Sequence, residues 1–290
     1  MIVAVCSDKG SPGATTLATA LGTVWPGDRA LVDADTAGGD TPFRLWTQDR
    51  EHRLAPSPSI AQLAAAARLG LSPAGALPFS QLCSLGLPVV PGMLSADRAL
   101  PLRGLWPRLA SETSAWSGTV IADLGRLQPG NPSVAMAAAA EAVLVVTRVD
   151  LEGLARLRER VAELAAAVGD PRRDRTPVGV VVTGAPRHRS FALQQVRQVL
   201  LSIGSPVQVI GFFAQDPGGA QGLWEGRWTR RLAGSDLIRS ARSVAESVLA
   251  QWPSLLPRSA QDEAEPDSEV GGIDDELTRR WGPRAEVGRG

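Results

Sequence analysis

Ile2-Val3-Ala4-Val5-Cys6-Ser7-Asp8-Lys9-Gly10-Ser11-Pro12-Gly13-Ala14-Thr15-Thr16-Leu17-Ala18-Thr19-Ala20-Leu21 is an apolar strand-like run, a glycine loop and a helical stretch in direct succession. That order is the layout of a phosphate cradle. The N–H groups of the loop and the N-terminus of the helix converge on one spot, and both favour an anion. Gly10 and Gly13 let the backbone approach closely because no Cβ stands in the way. A hydroxyl at Thr15 is placed to reach a cation on the phosphates.

Outward from this stretch, short runs rich in Val and Ile recur at 2–6, 29–33, 87–90, 119–123, 142–147, 178–183 and 206–211. They are nearly unbroken by polar residues, as strands buried on both faces of a parallel sheet are. Helical patterns lie between them. Leu151, Leu154, Ala155, Leu157, Val161, Leu164, Ala165 and Val168 form one stripe over 151–168, and Glu152 and Arg156 make an i,i+4 pair on the other side. Residues 189–203 and 235–251 repeat the pattern, the latter with Ser235 as N-cap. Alternation of this kind predicts an α/β fold of three layers, a mostly parallel sheet with helices on both faces. Residues 40–58 and 70–86 are rich in Pro, Gly and Ser and read as loops.

Composition agrees. Of 290 residues, 44% are hydrophobic, enough for a sizeable core. The 30 basic residues balance the 30 acidic ones, which argues against a protein that coats nucleic acid by charge alone. Cys6 and Cys83, with His52 and His188, are too few for a disulfide framework or a zinc centre. No stretch reaches the about 18 uncharged apolar residues of a membrane span. The start has no basic segment of a signal peptide, so the chain reads as cytoplasmic. The domain expected is 1–256. From Pro257 the character changes: Asp262, Glu263, Glu265, Asp267 and Glu269 stand almost without apolar partners, so 257–290 reads as an acidic, disordered tail with a short helix at 273–281. Lys9 is the one lysine in the chain; the other 29 basic residues are arginine.

The ordinary GxxxxGK[ST] pattern is not met: its first glycine position is Asp8 and its lysine position is Ala14. The loop resembles instead the deviant Walker A motif, KGGxGK[ST], of the ParA/MinD family of P-loop NTPases. Lys9 holds the opening lysine, and Gly10, Gly13, Thr15 and Thr16 match, while Ser11 replaces a glycine and Ala14 the second lysine. Leu31-Val32-Asp33-Ala34-Asp35 resembles the family's DxD segment, and Val120-Ile121-Ala122-Asp123 its Walker B strand. The resemblance covers about 1–250. It implies binding of ATP and Mg²⁺ by residues 9–16 (Lys9, Gly10, Ser11, Pro12, Gly13, Ala14, Thr15 and Thr16), with Asp33 as a supporting partner. It places Thr15, Asp35 and Asp123 around the Mg²⁺, and Asp35 beside the attacking water. It implies a homodimer in which Lys9, as a catalytic residue, reaches the partner's phosphate or folds back to substitute for the missing lysine in its own site. It further implies a switch that positions cellular machinery: pilus or secretion systems, division or partition apparatus. The eroded loop resembles localisation factors of Flp/Tad pilus systems, peripheral at the membrane through a partner. Thr183 stands where the family usually has an adenine-reading Asn.

Ala14 cannot neutralise the phosphates or support charge in phosphoryl transfer. Losing one hydrogen bond to a charged group costs about 1.5–3 kcal/mol, roughly 10- to 100-fold in affinity. Arg44, Arg126 and Arg148 could contribute, and the sequence does not select among them. A slow ATPase, a non-hydrolysing scaffold and a DNA-binding partition protein all stay open. For the last, Arg172, Arg173, Arg175, Arg187, His188, Arg189, Arg227, Arg230 and Arg231 could touch phosphates, although solvated loops account for such residues too. Strand-end Asp residues also cap helices and turns. A Rossmann dinucleotide site would use Asp33 but leaves Thr15, Thr16 and Asp123 without a role. The tryptophans, Trp106 and Trp224 among them, read as core or interface anchors rather than stacking platforms. Helix 235–251 lacks the basic flanks of a membrane-surface helix and reads as core packing.

Overall fold

The computed structural model describes residues 1–8, 12–128, 130–168 and 176–255. Lys9, Gly10, Ser11, Arg172, Arg173, Arg175 and the tail 257–290, with its expected short helix, lie outside the described residues. Eight strands form one sheet: β1 (Ile2–Ser7), β2 (Arg29–Asp33), β3 (Gln81–Leu82), β4 (Pro88–Val90), β5 (Thr119–Arg126), β6 (Ala142–Arg148), β7 (Val178–Gly184) and β8 (Gln208–Ala214). Their order is β3-β4-β2-β5-β1-β6-β7-β8. All neighbours run parallel except β3, which is antiparallel to β4. β1 is therefore central, buried along its whole length.

The helices are α1 (Ala14–Val24), α2 (Thr41–Arg44), α3 (Ile60–Ala67), α4 (Ala96–Ala99), α5 (Trp106–Ser114), α6 (Val134–Ala138), α7 (Leu151–Val168), α8 (Arg189–Ser202), α9 (Pro217–Trp224), α10 (Arg230–Ala233) and α11 (Asp236–Gln251). Side chains alternate across each strand, so β1 feeds two cores. Ile2, Ala4 and Cys6 pack with α3, α5, α6, α7 and α8 through residues such as Ile60, Leu109, Met136, Val161 and Val196. Val3 and Val5 pack with α1, α9 and α11 through Leu17, Leu21, Leu223, Ile238 and Val244. This is the three-layer α/β architecture expected. α11 is a core helix, capped by the Ser235 hydroxyl accepting from the Ile238 N–H at 3.2 Å. Trp25 and Trp106 are fully buried anchors.

The differences from expectation are local. The last strand starts at Gln208 rather than 206, because Ser205 closes a turn onto the Val207 N–H at 3.2 Å. It runs on through Phe212, Phe213 and Ala214, which pair with Val182, Thr183 and Gly184. The segments read as loops contain α2 and β3. Both are too short to show a period; the two residues of β3 exist through pairing with β4. α3 carries a legible signal, the capping box of Ser59 and Gln62. Among the described residues no helix is long and apolar enough to cross a membrane.

Candidate functional site

The C-terminal ends of β1, β2 and β5 converge beside the start of α1. Gly13 precedes the helix at φ 102°, a left-handed conformation that L side chains avoid. It has no side chain to cap the helix, and the first turn holds no acidic residue. α3, α9, α10 and α11 are all capped by side chains. Among the described residues no side chain caps the leading N–H groups of α1, the arrangement that receives an anion. Pro12 and Ala14 are buried, and Thr15 and Thr16 half-buried.

Three carboxylates, Asp33, Asp35 and Asp123, lie at or near these strand ends. β5 lies between β1 and β2, with Asp33 opposite Asp123 in the register. Asp123 accepts from the Gly125 N–H at 3.0 Å, and the Thr15 hydroxyl lies against its carboxylate. Burial raises its pKa well above the carboxylate range, and the Asp33 charge adds to this; the Thr15 hydroxyl and the Gly125 bond oppose it. Asp33 is buried too. Its Oδ2 accepts from the Thr41 hydroxyl at 2.7 Å and the Thr41 N–H at 3.2 Å. Burial raises the Asp33 pKa, and the Thr41 bonds pull against it. A Cβ at Gly92 would stand 2.6 Å from the Asp33 carboxyl carbon, and one at Gly39 would meet its Oδ2, so glycines wall this carboxylate in. Asp35 accepts from the Ala37 N–H at 2.8 Å. Burial raises its pKa; the Ala37 bond and the charge of Arg126 lower it, while Asp40 raises it.

This donor set fits a hard divalent cation. Among the described residues no salt bridge reaches Asp33 or Asp123, so two facing buried carboxylates lack a compensating cation there. No group of three His, Cys, Asp or Glu side chains forms a cage among the described residues. Mg²⁺ at nucleotide sites does not need one: it takes one or two protein oxygens and completes its shell with phosphates and water. The Thr15 hydroxyl and the Asp123 carboxylate, already in contact, are the residues that would hold it.

Several solved structures share this architecture. A ParA family ATPase from Chlorobium tepidum TLS superposes with a TM-score of 0.64 at 18% identity, over 84% of this chain and 97% of that one. A Cyanothece McdA–ATP complex gives 0.64 at 19% identity, over 85% and 95%. The Mg-ADP complex of the septum site-determining protein MinD from Pyrococcus horikoshii OT3 gives 0.60 at 16%, over 91% and 99%. The fold is that of the ParA/MinD ATPases. No family model matches the sequence, and no curated protein matches it.

Within this ParA/MinD fold the other expected residues separate. Thr183 is buried near the end of β7, two strands from β1. Arg44 is tied to Asp40 at 2.6 Å and lies 5.1 Å above the Trp224 ring. Arg148 ends β6 and lines, with α7, a cavity of about 150 Å³ beside Asp8 and Pro12. Arg187 donates to His188 at 3.0 Å. Arg227 and Arg231 line a groove shared with Asp216, Glu225 and Asp236, so its charge is mixed; Arg230 opens α10.

Sequence reasoning missed a cluster on Asp8. The Arg126 Nε donates to the Asp8 carbonyl at 3.1 Å, and Arg156 and Arg160 of α7 each stand 3.7 Å from the Asp8 carboxylate. The i,i+4 spacing of Arg156 and Arg160 was the available signal. Thr41 was also missed; as a Thr eight residues past Asp33 it carries no local signature.

Proposed function

We propose that this chain is a nucleotide-dependent positioning switch of the ParA/MinD type, binding ATP with Mg²⁺ at the head of α1. The observation that carries this reading is the contact of Thr15 with the buried Asp123, beside an uncapped helix whose approach turns at Gly13. The loop 9–16 would hold the phosphates through Lys9, Gly10, Ser11, Pro12, Gly13 and Ala14, with Thr16 flanking. Thr15 and Asp123 would hold the cation, and Asp35 would orient water at the phosphate. Asp33 positions rather than binds: it fixes Thr41 and, at 3.4 Å, the Asp35 N–H. Bound Mg²⁺ would draw charge from the terminal phosphate. Thr183 would sit toward the base. The switch would act as a homodimer in the cytoplasm, with 1–256 as the working domain and the acidic tail as an appendage. It would engage a protein partner of a pilus, secretion, division or partition apparatus, and reach the membrane only through it.

A second reading, a scaffold that binds nucleotide without turning it over, is favoured by one feature. Ala14, the first residue of α1, is buried and offers no charge where a P-loop lysine would stand. Calorimetric titration with ATP, with and without Mg²⁺, tests binding, and phosphate release by wild type against Asp35→Ala divides the two readings. Release abolished by the substitution supports the switch. Tight binding without release supports the scaffold.

A further inference from the structure

We infer that Arg126 supplies the phosphate-binding charge that Ala14 cannot. This rests on the reading of the loop as a nucleotide site. Three arginines were candidates from the sequence, and the geometry separates them. Arg44 is committed to Asp40 and Trp224. Arg148 ends β6 on the side of β1 away from β5 and approaches Asp8 and Pro12 across the cavity under α7. Arg126 is bonded directly to Asp8, the residue at the end of β1 that leads into the loop.

A bulge puts it there. Val5 pairs with Asp123 and Ser7 with Arg126, so two steps along β1 match three along β5. Gly125 absorbs the extra residue at φ 56°. Bulges re-aim side chains next to sites. Pairing resumes beyond it, with the Leu127 N–H donating to the Ser7 carbonyl at 2.9 Å. Arg126 is exposed, and its Nε bond to the Asp8 carbonyl anchors the guanidinium while leaving the terminal nitrogens unassigned among the described residues. A planar guanidinium suits a phosphate because it can donate two parallel bonds.

The surroundings support an anion there. The Asp8 carboxylate would repel phosphate, but Arg156 and Arg160 face it from α7. Arg126, Arg156 and Arg160 thus converge on Asp8, with Arg160 also paired to Glu163 at 2.7 Å. The charge of Arg126 also reaches Asp35, whose carboxylate abuts Gly125.

The test is a double-substitution cycle read by calorimetric titration with Mg·ATP and Mg·ADP: wild type, Arg126→Gln, Ala14→Lys and the pair. Gln keeps a hydrogen-bonding side chain without the charge, and circular dichroism with a thermal melt checks the fold. Arg126→Gln should lose about tenfold or more in ATP affinity, and less for ADP. In the Ala14→Lys background the same substitution should lose under about threefold, because the lysine restores the charge. Unchanged ATP affinity in folded Arg126→Gln, or an equal loss in both backgrounds, overturns the inference. If wild type itself binds neither nucleotide, the nucleotide-site reading has failed, and the inference falls with it.

Discussion

Thr41 and Asp33 form a two-pronged contact: one carboxylate oxygen, Oδ2, takes both the hydroxyl and the backbone N–H of Thr41. It ties the end of β2 to the start of α2 across a segment of seven residues that includes Asp35. A buried carboxylate that loses a donor keeps its full desolvation cost. Thr41→Val, which keeps the shape and removes the hydroxyl, should destabilise the protein by about 1–3 kcal/mol, read from urea denaturation. Thr41→Ser should recover most of this. An unchanged midpoint in Thr41→Val would mean that the bond carries no net stability.

The facing carboxylates Asp33 and Asp123 set the pH response of the nucleotide-free protein. Both have folded-state pKa values raised by burial. A raised carboxyl binds protons in the folded state that the unfolded state has released, so it favours folding below the unfolded value of about 4. That contribution is lost as the pH rises through the folded values. Thermal melts without nucleotide should therefore show stability falling from mildly acid to alkaline pH. Asp123→Asn should flatten the fall and melt higher than wild type at pH 8. A cation bound with nucleotide favours the ionised forms, so Mg·ATP should stabilise wild type more at high pH than at low.

Gly125 links the bulge to the site. Its φ is 56°, and a Cβ added there would run into the Asp35 carboxylate. Gly125→Ala should be destabilising by about 1–3 kcal/mol and should displace both Asp35 and Arg126. The expected result is weakened Mg·ATP binding in a protein whose circular dichroism is unchanged. Gly86→Ala, also at positive φ but with open space around its Cβ, should carry backbone strain alone and leave binding intact. Equal binding by both variants would contradict the placement of Asp35.

The parts of this molecule that were legible in advance share a physical cause. The central strands are buried on both faces, so each leaves an unbroken apolar run, and α7 and α11 expose one face, so each leaves a stripe. The order strand, glycine loop, helix and the two strand-end acids, Asp33 and Asp123, followed from local chemistry. What escaped depends on contacts distant in sequence. β3 exists only through β4. Thr41 matters because Asp33 is walled in by Gly39 and Gly92. The choice of Arg126 among three arginines needs the bulge at Gly125, which no propensity reports. α3 escaped although its capping box was written in Ser59 and Gln62.

The central claim is that the head of α1 with Thr15 and Asp123 binds a nucleotide with its cation. Calorimetric titration of ATP into wild type and Asp123→Asn, with and without Mg²⁺, tests it most directly. Micromolar binding that requires Mg²⁺ in wild type, and weakens about tenfold or more in Asp123→Asn, is the predicted result. No binding up to millimolar ATP, or binding indifferent to both Mg²⁺ and Asp123, would contradict it.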